Sequence, residues 1–390
     1  MKSKVRFFLG ALVIGAYCCT PKGDSTVSEV IVNGNVVYVA TLNELKSDTV
    51  TIALGGLVEY CNLVQLETRE DAYVVPLTPT ITDKYIGIRQ HVREPYKLFD
   101  RSGKFLHSIG SFGGGPGEYQ MPIWDDVIDD KNELIYLMTY MGDKILVYNT
   151  SGKFLKEIVA PHRIVMPSMF LSDNILTVTH MSTGEQSIAI QFDVNTGEAL
   201  KKLAPPASLT IQRLSSYAIF STRNVPGVLD LYNTVSDTLY HVDLKNNKIL
   251  PFFTTVFSSN ENIGKLYFPL NKDFIITGLR HCSREKNECK TMIAATDLKH
   301  KKSSFIRMVN DYYGNLPVPI TVENSFRNGY FAFSIQPEDL MEDIKNRLAE
   351  SGVSASDRDV LTKTLSTLKE GANNVVFIGK LKNEVKTKLW

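Results

Sequence analysis

The chain repeats a strand–turn–strand pattern at a period of about fifty residues. Ser102-Gly-Lys-Phe-Leu106 recurs as Ser151-Gly-Lys-Phe-Leu155. Each copy follows a polar residue, Asp100 or Asn149, and alternating apolar residues flank it, which is the pattern of a β-hairpin. In three more degenerate copies the corresponding polar residues are Asp193, Asp243 and Asp297. A repeat of this length, carrying several short strands, predicts the blades of a β-propeller rather than a helical solenoid.

The rest of the chain supplies a sixth unit. Residues 319–335 and 374–381 are rich in apolar and aromatic residues near the C-terminus, and residues 59–66 form a similar segment near the N-terminus. Closing a ring of blades removes exposed sheet edges, so we expect the two ends of the chain to meet in one blade. The predicted fold is therefore an all-β, six-bladed β-propeller.

One segment near the C-terminus departs from the β pattern. Leu340, Ile344 and Leu348 recur at four-residue spacing, which predicts an amphipathic helix. Ser354 or Ser356 can cap a second helix that follows it. We therefore expect residues 338–370 to form a helical insertion in the last blade, packed on the propeller as a lid or brace.

The N-terminus has the pattern of an export signal. Basic residues within residues 2–6 precede an apolar run, residues 7–16, that is too short to span a bilayer. Cys19, which follows Cys18 just after this run, is similar to a bacterial lipobox cysteine. We expect lipid attachment at Cys19; Cys18 is the second candidate, and an ordinary cleaved signal is the alternative.

These patterns divide the chain into three parts. Residues 1–19 are the signal peptide with its lipobox-like end, residues 20–44 are a linker and a first strand, and residues 45–390 are the propeller. We expect the lipid anchor to be the chain's only membrane contact, at the periplasmic or outer face of a bacterial outer membrane.

Two cysteines flank a polar turn between strand-like stretches. A hairpin would bring Cys282 and Cys289 together, and an exported chain reaches a compartment that permits disulfides. We expect a disulfide between them, with two free thiols as the alternative. Cys61 lies among apolar residues and is expected to be buried as a small hydrophobe.

Composition and motifs exclude several classes of function. The net charge of +1 and the isoelectric point near 7.6 give no basic surface for nucleic acid. None of the seven histidines stands in a metal-binding spacing, and neither a nucleophile elbow nor a phosphate-binding loop is present. We therefore expect no cofactor.

Two polar segments are candidates for ligand contacts. One, which contains Arg89, His91 and Arg93, lies between strand-like stretches. It could be at a channel mouth, with a solvated loop as the alternative. The other, which contains Trp124, Asp125 and Asp126, begins a strand. The inner strands of a propeller line its channel, so these residues could face a ligand. Solvated acids at the start of a strand are the alternative. The candidate contact residues are Arg89, His91, Arg93, Trp124, Asp125 and Asp126.

A glycine-rich segment carries a resemblance to a known family. Residues 110–122, which include Gly115-Pro-Gly-Glu-Tyr119, resemble the inter-blade linker of NHL-type propellers. They are more similar to that of the six-bladed propeller lipoproteins common in Bacteroidetes. Residues 56–68, ending in Leu66-Glu-Thr68, look like the opening strand of that family, and the resemblance covers roughly residues 45–381. It implies an exported, often lipid-anchored propeller without a settled activity.

A propeller without a catalytic motif favours binding over catalysis. We expect a binding or interaction module at the bacterial cell envelope, with an unknown small-molecule, glycan, peptide or protein ligand. One alternative is a hydrolase or lyase of the lactonase type, with a metal ion in the central channel. Another is a structural subunit of an envelope assembly, which would expose a large apolar patch.

Overall fold

Six sheets, each with at least four strands, form the six blades of a β-propeller. This confirms the all-β, six-bladed prediction. The computed structural model describes residues 25–43, 45, 49–75, 79–90, 93–181, 187–204, 219–222, 224–225, 228–233, 238–243, 246, 248–257, 263–283, 288–319 and 325–385.

Four strands precede the first complete blade. They are β1 (Val27–Val32), β2 (Asn35–Thr41), β3 (Val50–Ala53) and β4 (Asn62–Gln65). Blade 1 follows with β5 (Thr80–Ile81), β6 (Tyr85–Ile88), β7 (Tyr96–Asp100) and β8 (Phe105–Ile109). A short parallel pair in the next linker consists of β9 (Ser111–Phe112) and β10 (Glu118–Tyr119).

Blades 2 to 5 follow in chain order. Blade 2 contains β11 (Ile123–Asp129), β12 (Leu134–Thr139), β13 (Met141–Asn149) and β14 (Phe154–Val165). Blade 3 contains β15 (Ser168–Ser172), β16 (Ile175–Thr179), β17 (Ala189–Asp193) and β18 (Ala199–Leu203). Blade 4 contains β19 (Ile219–Thr222), β20 (Leu229–Asn233), β21 (Thr238–Asp243) and β22 (Lys248–Val256). Blade 5 contains β23 (Ile263–Pro269), β24 (Phe274–Ser283), β25 (Glu288–Asp297) and β26 (Lys302–Asn310), to which β27 (Leu316–Pro317) adds.

Blade 6 joins the two ends of the chain. Its three C-terminal strands are β28 (Phe326–Arg327), β29 (Tyr330–Ile335) and β30 (Val375–Lys380). Its fourth strand is β4, which pairs antiparallel with β30 so that Gln65 lies opposite Val375. The expected closure of the ring is confirmed, with the early segment as the outer strand of the last blade.

The polar residue before each repeated turn caps that turn. Asp100 Oδ1 accepts hydrogen bonds from the backbone N–H groups of Ser102, at 2.8 Å, and Lys104, at 3.1 Å. Asn149 Oδ1 accepts one from the N–H of Lys153 at 2.8 Å. The corresponding caps of blades 3 to 5 are Asp193, Asp243 and Asp297. This shared chemistry makes the turns visible in the sequence, because short polar side chains satisfy the backbone of a tight turn.

The glycine-rich linker between blades 1 and 2 is held by its own side chains. Glu118 Oε2 accepts a hydrogen bond from the Gly115 N–H at 2.7 Å, and the Tyr119 hydroxyl accepts one from the Tyr96 N–H at 3.1 Å. Gly117 has a φ of +73°, and a Cβ there would lie 2.5 Å from the Phe154 ring. The glycine is therefore required by both backbone geometry and packing.

The N-terminal segment lies along the outer edges of consecutive blades. The β1–β2 hairpin pairs through β2, in parallel, with β22 of blade 4. β3 then pairs in parallel with β26 of blade 5, before β4 enters blade 6. Residues predicted as a linker and first strand thus include two strands, and the segment covers sheet edges that would otherwise be open.

Two helices are inserted between β29 and β30. They are α1 (Pro337–Ala349) and α2 (Ala355–Thr367). Leu340 and Ile344 of α1 are buried in the same apolar cluster as strands of blades 5 and 6. Ser354 rather than Ser356 caps α2, since its Oγ accepts a hydrogen bond from the Asp357 N–H at 3.0 Å. No helix among the described residues is long and apolar enough to cross a membrane.

The turn of blade 1 offers a test of ring closure. Gly103 and Gly152 occupy equivalent turns, with φ of +89° and +84°. A Cβ on Gly103 would lie 2.3 Å from the Gln65 carbonyl oxygen of β4, whereas the nearest atom to a Cβ on Gly152 is 3.4 Å away. We expect Gly152→Ala to cost about 1–2 kcal/mol for the left-handed backbone alone. Gly103→Ala should cost at least about 1 kcal/mol more, because β4 must shift.

Urea unfolding followed by tyrosine and tryptophan fluorescence measures both variants under the same conditions. Gly152→Ala is the matched control, because it shares the turn and the backbone conformation. Equal losses of stability in the two variants would contradict close packing of the blade 1 turn on the closing strand.

Candidate functional site

A cavity of about 990 Å³ opens on the face that carries the turns between the first and second strands of the blades. We call it the funnel. Its wall includes the apolar side chains of Ile81, Val127 and Phe170. All six blades contribute to it, and one lining residue from each of blades 1 to 6 is Asp83, Lys131, Asp173, Asn224, Lys272 and Asn328. The funnel is therefore a product of the closed ring.

Four buried charged residues lie directly behind the funnel wall. This arginine–aspartate cluster consists of Arg89, Asp125, Asp126 and Arg327, whose side chains are at most 11% exposed. Arg89 Nε lies 3.2 Å from Asp126 Oδ1, and Arg327 donates a hydrogen bond to Asp125 Oδ1. Arg327 also donates to the backbone carbonyl of Asp126 at 2.9 Å.

The innermost strands position the cluster at the ring axis. Asp125 and Asp126 lie on β11, the first strand of blade 2, and Arg327 ends β28, the first strand of blade 6. Arg89 directly follows β6 of blade 1. Because blade 1 separates blades 6 and 2, the contact between Arg327 and Asp125 can form only on the inner side of the ring.

The aspartate oxygens are occupied by donors from neighbouring blades. The Thr80 hydroxyl donates to Asp126 Oδ1 at 2.9 Å, and the Tyr96 hydroxyl donates to Asp126 Oδ2 at 2.8 Å. The backbone N–H of Met169 in blade 3 donates to Asp125 Oδ2 at 2.5 Å. Two guanidinium groups balance two carboxylates, so the cluster is neutral and links blades 6, 1, 2 and 3.

Burial and charge act together on the titration of the cluster. Burial by itself lowers the pKa of the Arg327 guanidinium. The Asp125 and Asp126 carboxylates raise it by more than burial lowers it, so the pKa lies above its ordinary value. Burial, followed by the negative charge of Asp126, raises the pKa of Tyr96 well above its ordinary value. The phenol therefore stays protonated and remains a hydrogen-bond donor to the carboxylate.

The cluster and the funnel share four inner strands. Asp126 and Arg327 belong to the cluster, and Thr80 and Met169 donate hydrogen bonds to it. The residue after each of these four lines the funnel. Those lining residues are Ile81, Val127, Phe170 and Asn328. A displacement of the cluster residues would therefore also move the adjacent residues of the funnel wall, because each pair is joined by one peptide bond.

The pair Asp125 and Asp126 is not suited to bind a metal ion in the central channel. A divalent cation needs open carboxylate positions, and those of Asp125 and Asp126 already accept hydrogen bonds from Arg327, Met169, Tyr96 and Thr80. The two arginine charges also repel a cation at this position. Within the described part of the chain, no three His, Cys, Asp or Glu residues form a group able to hold a metal ion.

The structure brings together three of the six predicted contact residues as charged partners. Arg89, Asp125 and Asp126 are buried, so the alternatives of a solvated loop and solvated acids are wrong for them. Trp124 contributes its backbone carbonyl to Arg89, and its ring packs edge-on against Tyr140 at 5.0 Å between ring centres.

The remaining predicted contacts lie apart from the cluster or outside the described residues. Arg93 is exposed on the turn between β6 and β7, at the opposite end of blade 1 from the funnel. His91 lies outside the described residues. Sequence reasoning missed Arg327, although the Asn328-Gly329 turn that follows it is a hairpin signal that could have placed it at the end of an inner strand.

The cysteines fall into three groups. β24 and β25 pair so that Cys282 lies directly opposite Cys289, a register that brings their backbones within reach of a disulfide. Their side chains lie outside the described part, and the bond stays a prediction. Cys61 is buried as expected, and burial raises the pKa of its thiol to about 12. Cys18 and Cys19 are outside the described residues.

Comparison with known proteins finds one matching family model. The model of the family described as "Domain of unknown function (DUF4934)" matches residues 37–380. No curated protein matches the chain.

Solved structures share the fold at low sequence identity. A Bacteroides fragilis protein, named as an expected exported protein, is 16% identical with a TM-score of 0.59, and the alignment covers 88% of this chain and 100% of that one. A member of the DUF4221 family from Bacteroides vulgatus is 11% identical with a TM-score of 0.50, covering 84% of this chain and 98% of that one. Both likenesses concern the fold alone.

The arginine–aspartate cluster can be tested against an exposed ion pair. We expect Arg327→Met to destabilise the protein by about 3–5 kcal/mol, because it removes the closer of the two guanidinium partners of the buried Asp125 carboxylate. Lys144→Met is the matched control, since Lys144 pairs with Glu157 at 2.6 Å but is 50% exposed. It should change stability by no more than about 1 kcal/mol.

Urea unfolding of the two variants gives the comparison directly. A third variant, Arg327→Met combined with Asp125→Asn, should recover part of the loss because it removes both charges. If Arg327→Met unfolds at the same urea concentration as Lys144→Met, the cluster does not hold the inner strands together.

Proposed function

We propose a function from the premise that this chain belongs to the family described as "Domain of unknown function (DUF4934)", whose model matches most of it. The protein acts as a binding module at the bacterial cell envelope, and its ligand occupies the funnel. The observation that carries this proposal is one cavity of about 990 Å³ to which all six blades contribute.

The size and position of the funnel suit a ligand. Binding cavities for small ligands are commonly about 300–1,000 Å³ and combine apolar walls with a few polar groups. Here Phe170 and Tyr330 offer aromatic surface, while Asp173, Lys131 and Lys272 supply charges of both signs at the turns. Such a lining supports a polar ligand with some apolar surface, as in a glycan or a short peptide.

The inner residues support binding more than catalysis. The Asp125 and Asp126 carboxylates are engaged in the neutral cluster, so neither offers a free base or a metal ligand next to the funnel. A catalytic acid or base needs a proton position open to the substrate. The lactonase-type alternative therefore gains no support from the acids at the ring axis.

The location of the protein rests on its N-terminus. The basic and apolar residues of the first sixteen positions have the export pattern, and Cys19 follows them at the lipobox position. The Bacteroides fragilis protein that shares the fold is named as an expected exported protein, which supports the same location for this chain. The NHL-like lipoprotein resemblance extends the proposal to lipid anchoring on the outer membrane, at its periplasmic or outer face.

Binding in the funnel can be tested with paired tryptophan substitutions. Asn174→Trp combined with Lys272→Trp fills the funnel mouth at two exposed turn positions. Arg93→Trp is the matched control at an exposed turn at the opposite end of blade 1. A glycan and peptide library is screened by thermal shift, since a ligand at a hundred times its Kd stabilises the native state by about 2.7 kcal/mol.

We expect at least one library member to raise the melting temperature of the wild type and of Arg93→Trp. The doubly substituted protein should lose that shift. In the absence of ligand its melting temperature should equal that of the wild type. A library that leaves the wild type unshifted, or a shift that survives in the doubly substituted protein, would refute binding in the funnel.

Lipid anchoring has a separate test. We expect wild-type protein expressed in a Bacteroides host to fractionate with the outer membrane and to carry a diacylglyceryl group on Cys19 by mass spectrometry. Cys19→Ala should release the protein into the soluble envelope fraction, because two acyl chains or more are needed for stable anchoring. Cys18→Ala is the control. An unmodified mature terminus downstream of Cys19 would rule out the anchor.

A further inference from the structure

Two histidines face each other between blades 2 and 3, away from the arginine–aspartate cluster. His162 lies on β14, and His180 directly follows β16. Their ring centres are 5.2 Å apart, and the ring planes are inclined at 69°. His180 is 1% exposed, and the Nε2 atom of each ring is buried without a hydrogen-bond partner.

The proton position on His180 follows from its other nitrogen. Nδ1 lies 2.8 Å from the backbone carbonyl oxygen of Met181, and a carbonyl only accepts, so Nδ1 carries the hydrogen. Nε2 of the neutral ring therefore presents a lone pair. Burial lowers the pKa of His180 to about 4, which keeps this lone pair free at neutral pH.

An unpartnered buried nitrogen is uncommon in native proteins, and two on neighbouring rings point to one partner shared by both. Imidazole nitrogens bind Zn²⁺ at about 2.0–2.1 Å in tetrahedral geometry, which sets two ring centres roughly 5 Å apart. The observed 5.2 Å separation agrees with that value. A hydrogen bond from the second ring nitrogen to a backbone carbonyl, as on His180, is also usual for a metal-bound histidine.

We propose that His162 and His180 bind one late first-row metal cation, of which Zn²⁺ is the representative, through their Nε2 atoms. Imidazole suits Zn²⁺, Cu²⁺ and Ni²⁺, whereas Mg²⁺ and Ca²⁺ prefer oxygen ligands. The described residues provide no third His, Cys, Asp or Glu within such a group. The remaining positions of the cation are therefore open to water or to a donor group of a bound molecule.

One nearby charge opposes the cation. Burial, and then the ammonium group of Lys202, lower the pKa of His162. The same positive charge raises the electrostatic free energy of a metal ion bound by His162. Removing it should therefore strengthen metal binding, whereas removing a ligand should weaken it. The opposite directions of these two effects separate a site at this histidine pair from binding elsewhere.

The test is a titration of the tag-free chain with ZnCl₂ in a calorimeter, and with CoCl₂ in a spectrophotometer to read tetrahedral coordination. We expect one equivalent to bind to the wild type. His162→Ala and His180→Ala should each weaken binding by at least about tenfold, the lower limit seen for loss of outer partners of metal ligands. His107→Ala, at an exposed histidine on β8, is the control and should bind as the wild type does.

Lys202→Met should bind Zn²⁺ a few-fold more tightly than the wild type at low ionic strength, and the gain should shrink as salt is added. His162 is only half-buried, so His162→Ala is expected to fold even if His180→Ala does not, and circular dichroism checks both. No binding by the wild type, or equal binding by the wild type and His162→Ala, would overturn the proposal.

Discussion

The pairing of β4 with β30 is the interaction on which the rest of the molecule depends. It joins residues from the two ends of the chain into one sheet and leaves the ring without an open blade. Asn373 secures the junction, since its Nδ2 donates to the backbone carbonyls of Glu67, at 3.0 Å, and Ala72, at 2.8 Å. The funnel exists only in the closed ring, because its wall takes residues from every blade.

Beside closure of the ring, the arginine–aspartate cluster adds a second constraint, on the inner strands at the axis. A buried ion pair gains little net free energy over an apolar pair, but breaking one is costly, because the remaining charge stays buried. Arg327 of blade 6 and the Met169 N–H of blade 3 both meet Asp125 of blade 2. The cluster therefore favours one relative arrangement of four blades. The residues of the funnel wall lie one position after these residues on the same strands, so the same arrangement positions them.

Much of the fold could be predicted because its signals are local. Asp100 and Gly103 stabilise a single turn, and Ser354 caps the first turn of α2. Each of these interactions joins residues only a few positions apart, so a short stretch of sequence predicts it. The site could be predicted only in part. The sequence offered Asp125 and Asp126 as channel acids or as solvated acids, and their partner Arg327 is about two hundred positions away. Nothing near that pair in the sequence shows whether a cation from another blade will meet it.

The two kinds of turn in the blades explain why the repeat identifies the fold rather than the ligand. In the turns between third and fourth strands, side chains such as Asp193 are used to cap their own backbone, so their oxygens are occupied and their identity recurs. In the turns between first and second strands, Asp129 and Asn271 also cap their own backbone. The exposed residues at the funnel in these turns, Lys131, Asp173 and Lys272, carry charges of both signs. A residue that need not satisfy its own turn is available for a ligand. The exposed charged positions at the funnel turns are therefore the ones that would set a binding preference.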